Sequence, residues 1–290
     1  MSGLSAFQAV HLVGAVLPGE ALARASELRM PGQSFADYQL PPGMAVNAAI
    51  ARAWQAMLAT HREWQKTLRR LPDNDPAVKQ TREKWLLPLL YELGWGHPES
   101  IIGGLDVPPG LGETTAPRFL VSHRVCWPGQ AGPTTWVPLH LVGAGVALDT
   151  KTPLVTKTPL VTARAPQSML QDYLNREQGA LWGIVTNGHR LRLLRDTSTL
   201  ARQSFVEFDL DAIFTNELYA DFRLFFLTVH ASRFHPRPDD STKKTRADID
   251  EDDEEETDEG DIPAPKLANC WLEQCNTWTG TASNSLAVRG

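Results

Sequence analysis

Residues 167–196, QSMLQDYLNREQGALWGIVTNGHRLRLLRD, decide the fold because they predict a helix followed directly by a β-hairpin. Apolar residues recur at three- and four-residue steps as far as Leu174, as on one face of an amphipathic helix. The Asn-Gly pair at 187–188 then separates two strand-like runs, which is the strongest short signal for a two-residue hairpin turn. Arginine and leucine alternate from Arg190 to Leu193, so we expect a strand with one packed face and one cationic face.

The segments on either side of this stretch predict further helices and strands. Apolar spacing predicts helices over 46–71, 76–93 (kinked at Pro88) and 211–233, and a weak helical pattern runs through the first 40 residues. Alternating apolar and polar residues predict strands over 118–126, 136–148 and 203–210. The order of these elements predicts a mixed α/β, or α+β, fold in which helices flank one central sheet.

Charge divides the chain into three parts. The stretch 248–261 holds 11 acids and no base, which leaves 28 bases against 23 acids, or +5, in the rest of a chain whose formal charge is −6. Such a tract cannot bury enough apolar surface to order itself. We therefore predict a folded module over 1–237, an acidic disordered linker over 238–262 and an unstructured or truncated tail over 263–290.

Cysteine content and hydropathy predict a cytoplasmic protein without a membrane partner. The three cysteines are odd in number and lack the spacing of a disulfide scaffold, which fits a reducing compartment. The apolar stretch 4–17 has no preceding Lys or Arg and is interrupted by His11, unlike a signal peptide. No later stretch is long and apolar enough to span a bilayer.

Asp149 and Lys151 have the acid-x-lysine spacing of a strand in metal-dependent nucleases, where both side chains would face the scissile phosphate. A magnesium site needs at least one more carboxylate, and none occurs within 119–148. Glu83 on the second predicted helix and Glu113 in the preceding loop are the candidates for that ligand. The alternative is an ordinary exposed pair at the end of a strand.

Other motifs with catalytic or metal-binding spacing are missing from the sequence. His123 and His140 lie on adjacent predicted strands, but no carboxylate accompanies them, which favours a role as sheet residues. Cys270 and Cys275 have no histidine nearby, which argues against zinc. The chain also lacks G-x-S-x-G, G-K-S/T and N-P-P-Y/F sequences. We therefore predict no metal site beyond the nuclease hypothesis for Asp149.

Arg190, Arg192 and Arg195 are the candidate DNA-binding residues. A row of arginines on one strand can contact backbone phosphates, which supply the sequence-independent part of DNA affinity. The alternative is a solvated strand face with no ligand.

Five blocks taken together resemble one protein family. The chain is similar over about 15–233, and faintly over 269–274, to the amino-terminal region of bifunctional restriction-modification DNA methylases of the type IIG kind, which include the methylase of DISARM phage-defence systems. The order and spacing of the blocks carry the resemblance: TREKWLLPLLYELGW at 81–95, VPLHLVG at 137–143, YLN at 173–175, LWGIVTNG at 181–188 and FVEFDL at 205–210.

The resemblance implies a domain similar to the PD-(D/E)xK fold of restriction endonucleases, with a helix ending in Gly-Trp and a Thr-Asn-Gly hairpin. In the full-length family an adenine methyltransferase domain that binds S-adenosylmethionine follows this region. The family's methyl-transfer residues have no matching positions here, so we expect no cofactor in this chain and interpret it as a truncated or frame-disrupted product. Of the nuclease residues, only Asp149 and Lys151 are in plausible register.

Three functional hypotheses remain at this point. The first is a non-catalytic module of a restriction-modification methylase that binds DNA, or docks to a methyltransferase or another restriction-modification subunit, in anti-phage defence. The second is a Mg²⁺-dependent endonuclease that uses Asp149 and Lys151 with Glu83 or Glu113. The third is a protein-interaction subunit whose acidic tract engages a basic partner.

Overall fold

A computed structural model describes residues 6–107, 109, 114, 116–127, 135–151, 164–196, 203–236 and 270–278. Its class is mixed α/β, as the sequence predicts: helices flank one sheet of seven strands, and two short strands form a separate pair. The predicted linker over 238–262 and residue Glu113 lie outside the described residues.

The helices comprise eight α-helical segments among the described residues, with a π-helical turn at Arg82–Leu86 and a 3-10 turn at Ala231–Arg233. The α-helices are α1 (Gly19–Ser26), α2 (Val46–Leu68), α3 (Val78–Thr81), α4 (Leu87–Glu92), α5 (Pro166–Arg176), α6 (Leu210–Thr215), α7 (Tyr219–Val229) and α8 (Trp271–Asn276).

The large sheet has the strand order β1-β9-β8-β7-β6-β5-β2. Its β6 and β7 are parallel and are connected through α5, and its other pairs are antiparallel. The strands are β1 (Val10–Val13), β2 (Glu99–Ser100), β3 (Leu105–Asp106), β4 (Arg118–Phe119), β5 (His123–Trp127), β6 (Thr135–Leu141), β7 (Trp182–Thr186), β8 (Arg190–Arg195) and β9 (Phe205–Asp209), with β3 and β4 forming the separate pair.

The predicted hairpin is confirmed, and its turn is held by hydrogen bonds within the turn and by one from a covering helical segment. The side-chain oxygen of Asn187 accepts hydrogen bonds from the backbone N–H groups of His189 and Arg190, at 3.1 and 2.9 Å. Gly188 adopts φ +88°, which favours glycine. The indole N–H of Trp85 donates to the carbonyl of Gly188 at 2.8 Å. The hairpin end is therefore held against the helices that cover the sheet.

Replacing Gly188 with alanine is expected to lower the free energy of unfolding by about 2 kcal/mol or more, because φ is positive and the added Cβ would lie 2.9 Å from Trp64. Gly43 is a matched control, since it has φ +85° and nothing within 4 Å of its Cβ position. Gly43→Ala is expected to cost only about 1 kcal/mol, the conformational part. Urea unfolding of both variants checks the difference, and equal losses would contradict it.

Two apolar layers cover the sheet. Leu139, Ile184 and Leu193 belong to the larger layer, which α1, α2, α4 and α7 complete. Val185 and Leu194 face the opposite side and pack against α5. The hairpin strands therefore bury apolar residues on both faces, because the sheet is covered on both sides.

Three helical predictions need correction in detail. The first 40 residues, for which only a weak helical pattern is predicted, contain the edge strand β1 as well as the helix α1. In place of the predicted kink at Pro88, the structure has a π-helical turn just before this residue. The reason is that Pro88 has no backbone N–H and cannot donate the hydrogen bond of a regular helix. The helix predicted over 211–233 divides into α6 and α7, with Glu217 at φ +52° between them.

The prediction of an unstructured segment over 263–290 is wrong for residues 270–278. These residues form α8, and Trp271 and Leu272 are fully buried in the larger apolar layer. The carboxylate of Glu273 accepts hydrogen bonds from Trp182 at 2.9 Å and from Arg195 at 2.8 and 2.9 Å. Long-range contacts therefore hold a helix that is too short to be stable alone.

None of the described helices combines the length and the apolar character that crossing a membrane requires.

Candidate functional site

The predicted nuclease acid Asp149 forms an ion pair with an arginine. Strand β6 ends at Leu141, so Asp149 and Lys151 lie in an irregular segment and not at the predicted strand end. Both carboxylate oxygens of Asp149 accept hydrogen bonds from the guanidinium of Arg192, at 2.6 and 2.9 Å. These hydrogen bonds lower the pKa of Asp149. Its carboxylate is thus already engaged by a cation.

Arg192 is buried, and this corrects the prediction of a cationic strand face open to solvent. Its side chain is 5% exposed, and its Nε donates to Glu207 at 2.5 Å. The guanidinium also donates to the side chain of Gln167 on α5 and lies 4.5 Å from the ring centre of Phe205. Arg192 therefore connects β8, β9, α5 and the Asp149 segment, and its guanidinium is not available on the surface to a DNA phosphate.

The other proposed metal ligands do not join Asp149. Glu83 lies in the π-helical turn and lines a groove between α2 and α4, on the opposite side of the sheet from α5. Lys151 is exposed, and Glu113 lies outside the described residues. Within the described part of the chain, no group of three His, Cys, Asp or Glu side chains is placed to hold a metal ion. Asp149 and Glu83 therefore do not form the predicted site.

Arg195 and Arg190 differ in their exposure and in their ion-pair partners. Arg195 donates from Nε and Nη2 to the two carboxylate oxygens of Glu273 on α8, so it holds this helix against the sheet. Arg190 keeps 52% of its side chain exposed and lies 3.8 Å from Glu207. Arg190 is the one of the three predicted DNA-binding arginines that is mainly exposed.

The strand register places His123 and His140 on opposite faces of the sheet, and the charge of His123 still contributes to the low pKa of His140. His123 pairs with Leu139 across β5 and β6, so His140, the next residue along β6, points to the opposite face. Burial and the nearby charge of Arg82 lower the pKa of His123 to about 4 and that of His140 to about 3. Burial, followed by the charge of Arg233, likewise lowers the pKa of His230 to about 3. All three imidazoles are therefore neutral in the folded protein near pH 7.

These histidines predict a loss of stability in acid. An imidazole whose pKa falls on folding binds a proton more tightly in the unfolded chain, so the free energy of unfolding decreases as the pH falls below about 6.5 and continues to decrease towards pH 4. Each such proton contributes up to about 1.4 kcal/mol per pH unit. Urea unfolding at several pH values checks this. His140→Gln should reduce the slope by up to one proton, and an unchanged slope in this variant would contradict the prediction.

A cleft between α2 and α6 is lined by a constellation of polar and charged side chains. Its volume is about 640 Å³. The cleft is lined by Ala59, His61, Arg62, Glu63, Gln65, Lys66, Arg69, Asp211, Phe214, Thr215 and Glu217. Most of the charged residues lie one or two turns apart on α2, which places them on one side of the helix.

Asp211 is the centre of this constellation. One carboxylate oxygen accepts from His189 Nδ1 at 2.6 Å, and the other lies 3.1 Å from the amide of Gln65 and 3.4 Å from His61 Nε2. The backbone N–H of Asp211 also donates to the carbonyl of His189 at 3.2 Å. Burial would raise the pKa of Asp211, but hydrogen bonds from His189 and His61 lower it to about 2. Asp211 is therefore an ionised anchor for two imidazoles.

Aromatic rings fix the two histidines. His61 is 2% exposed and lies 5.0 Å from Trp85 and 5.2 Å from Phe214, measured between ring centres. His189 is partly exposed at 30% and has its ring centre 5.1 Å from Trp64. The hydrogen bond to Asp211 therefore engages Nδ1 of His189.

The cations that line the cleft differ in whether they form an ion pair. Arg62 pairs with Glu217 at 2.7 Å, and Lys66 pairs with Glu63 at 2.7 Å. Arg69 is exposed and has no side-chain partner in the described part of the chain. The acids of the cleft are all engaged, so Arg69 is the cation that remains for an anionic ligand.

The sequence does not indicate this constellation, because its members come from three distant segments. His61 is part of the apolar pattern of α2, His189 follows the hairpin turn, and Asp211 resembles an ordinary acid in the first turn of a helix. A histidine directly after an Asn-Gly turn was the only local signal.

Comparisons of the chain with family models, with curated proteins and with solved structures found no match.

Proposed function

We propose that this chain is a DNA-binding module similar to the amino-terminal region of restriction-modification methylases, and that it does not use Asp149 for metal-dependent cleavage. The ion pair between Asp149 and Arg192 is the observation that supports the non-catalytic part of the proposal. A carboxylate that holds a buried arginine through both oxygens loses that partner if it turns to a metal ion, and Glu207 would then balance Arg192 alone.

The DNA contact is proposed at the hairpin end of the sheet. Arg190 remains mainly exposed there, and Lys66 and Arg69 line the cleft that also holds Asp211, the partner of the hairpin residue His189. Lysine and arginine side chains that contact backbone phosphates give affinity without sequence specificity, and this affinity decreases steeply with salt. The proposed contact therefore moves from the buried strand arginines to the surface of α2 and to Arg190.

The test measures binding of the full chain to a labelled DNA duplex across a salt series. We expect the affinity to fall as salt rises from about 50 to 200 mM. The double variant Lys66→Glu/Arg69→Glu is expected to bind at least about tenfold more weakly, because two phosphate contacts become repulsive. If protein that is shown to be folded does not bind the duplex at the lowest salt, the proposal is contradicted.

A matched control separates a local contact from the effect of net charge. Arg29→Glu/Arg52→Glu makes the same change in charge at two exposed side chains, which are 71% and 64% accessible and lie outside the cleft. We expect this variant to bind within about twofold of the original chain. An equal loss in both double variants would place the DNA elsewhere on the protein.

Docking to a methyltransferase or another restriction-modification subunit is the second form of the proposal. The groove between α2 and α4 favours it, because Met57, Leu87 and Pro88 line the groove and Tyr91 is 59% exposed. Tyr91→Ser should leave DNA binding unchanged and weaken co-purification with such a subunit. Unchanged co-purification would remove the groove from the proposal.

A further inference from the structure

Arg82 is a partly buried arginine that forms no ion pair in the described part of the chain. It lies in the π-helical turn, and its Nε donates to the carbonyl of Leu141, the last residue of β6, at 2.7 Å. Burial lowers the pKa of Arg82, whereas the hydrogen bonds with Glu273 raise the pKa of Arg195. A charge that leaves water without an opposite charge nearby costs free energy, so Arg82 is suited to an anionic ligand.

His140 is the residue directly before Leu141 and lies at the same end of β6 as Arg82. The residue is 8% exposed, and its Nδ1 is fully buried and has no hydrogen-bond partner among the described residues. The charge of Arg82 reaches this ring, since it adds to the effect of burial in lowering the pKa of His140. Buried polar groups normally have hydrogen-bond partners, so the imidazole and the guanidinium together indicate a binding site.

The position of the two side chains in the sheet also favours a ligand. Strands β6 and β7 are the parallel pair, and α5 connects them. At their carboxyl ends Leu141 pairs with Thr186, the residue before the Asn-Gly turn. In open sheets with parallel strands, ligands bind outside the carboxyl ends of those strands. Arg82 and His140 therefore lie at the end of the sheet where such folds place their ligands.

We propose that Arg82 and His140 bind a phosphate group at the carboxyl end of β6. The Nε of Arg82 already donates to Leu141, which leaves the two terminal nitrogens of the guanidinium for oxygen atoms of the ligand. A neutral imidazole carries one N–H group, so His140 can donate to a further oxygen. A carboxylate has two oxygens, which one guanidinium satisfies, whereas a phosphate group has an additional oxygen for the imidazole.

The test titrates inorganic phosphate into the full chain at pH 7.5 and follows the imidazole NMR signals of His123 and His140. Both rings are neutral at this pH, because their pKa values are about 4 and about 3, so a shift reports binding and not protonation. We expect a saturable shift with phosphate that acetate at the same concentrations does not produce. Arg82→Gln is expected to weaken phosphate binding at least about tenfold, because it removes charge-assisted hydrogen bonds.

Two further measurements separate binding from a purely structural role of Arg82. Without phosphate, Arg82→Gln should unfold at the same urea concentration as the original chain or a higher one, because it removes a partly buried charge that has no opposite charge among the described residues. Arg223→Gln is the matched control, since Arg223 on α7 is also partly buried and its Nε also lacks a hydrogen-bond partner. This variant should bind phosphate as tightly as the original chain.

The source of the phosphate is distinguished with a DNA duplex, which offers phosphodiester groups, and with a mononucleotide, which offers a terminal phosphate. Binding of the duplex that Arg82→Gln weakens would support a DNA phosphate at this site, and the same result for the mononucleotide alone would support a small phosphate ester. Signals of His140 that do not respond to phosphate, or that respond equally in Arg82→Gln, would overturn the site. Failure of duplex binding alone would contradict the proposed function and leave the phosphate site standing.

Discussion

Removal of residues 270–278 is expected to lower the free energy of unfolding by at least about 4 kcal/mol, because the deletion takes a buried tryptophan and a buried carboxylate out of the structure. Trp271 is 1% exposed, donates its indole N–H to the carbonyl of Pro31 at 2.9 Å and lies 4.9 Å from the guanidinium of Arg233. Glu273 is the partner of Arg195 and Trp182. Without α8, these groups lose their partners.

Point variants divide this loss into its parts. Trp271→Ala is expected to cost about 3–5 kcal/mol, as is usual for a buried tryptophan. Glu273→Gln keeps the shape of the side chain and removes its charge, and we expect a smaller but clear loss.

Chemical unfolding of the full chain, the deletion variant and the point variants checks this prediction. The same contacts determine which fragment is suitable for experiments, since a chain cut at the predicted boundary, residue 237, would lack α8. If that fragment were as stable as the full chain, the stabilising role of α8 would be contradicted.

Arg192→Ala is the second variant with a large expected effect. It removes the hydrogen-bonded cation of Glu207, whose side chain is 10% exposed, and leaves only the more distant Arg190 at 3.8 Å. Breaking a buried pair from one side typically costs about 3–5 kcal/mol. Asp149→Asn should cost much less, because the carboxylate of Asp149 is 59% exposed and can be hydrated. The two expected losses differ because Glu207 is buried and Asp149 is largely exposed, although both acids pair with Arg192.

A double variant checks this prediction. Arg192→Met/Glu207→Leu removes both charges together and is expected to be clearly more stable than Arg192→Ala, since no buried carboxylate is left alone. Equal losses for Arg192→Ala and for Asp149→Asn would contradict the structural role assigned to Arg192.

Local patterns in the sequence predict much of the fold. The hairpin follows from the Asn-Gly pair at 187–188 and from alternation over a few residues, and the long helix α2 follows from its apolar spacing. Helix α8 does not, because it has six residues and depends on contacts with Pro31 and Trp182, 240 and 91 positions away in sequence.

The site residues show a similar limit. Alternation correctly separates Arg192 from its leucine neighbours, but it does not reveal that Asp149, Gln167 and Glu207 cover the arginine face. A period of two gives the face of a strand, whereas burial depends on what packs against that face. Asp211 could not be predicted as an anchor for the same reason, since its partners lie on α2 and at the hairpin.

The most direct measurement incubates the full chain with duplex DNA in the presence and absence of millimolar Mg²⁺, and follows binding and cleavage in the same samples. If Asp149 is a structural partner of Arg192, the chain binds the DNA, the duplex stays intact with and without Mg²⁺, and Asp149→Asn binds as well as the original chain. Mg²⁺-dependent cleavage that Asp149→Asn abolishes would contradict this role and would return Asp149 to a nuclease site.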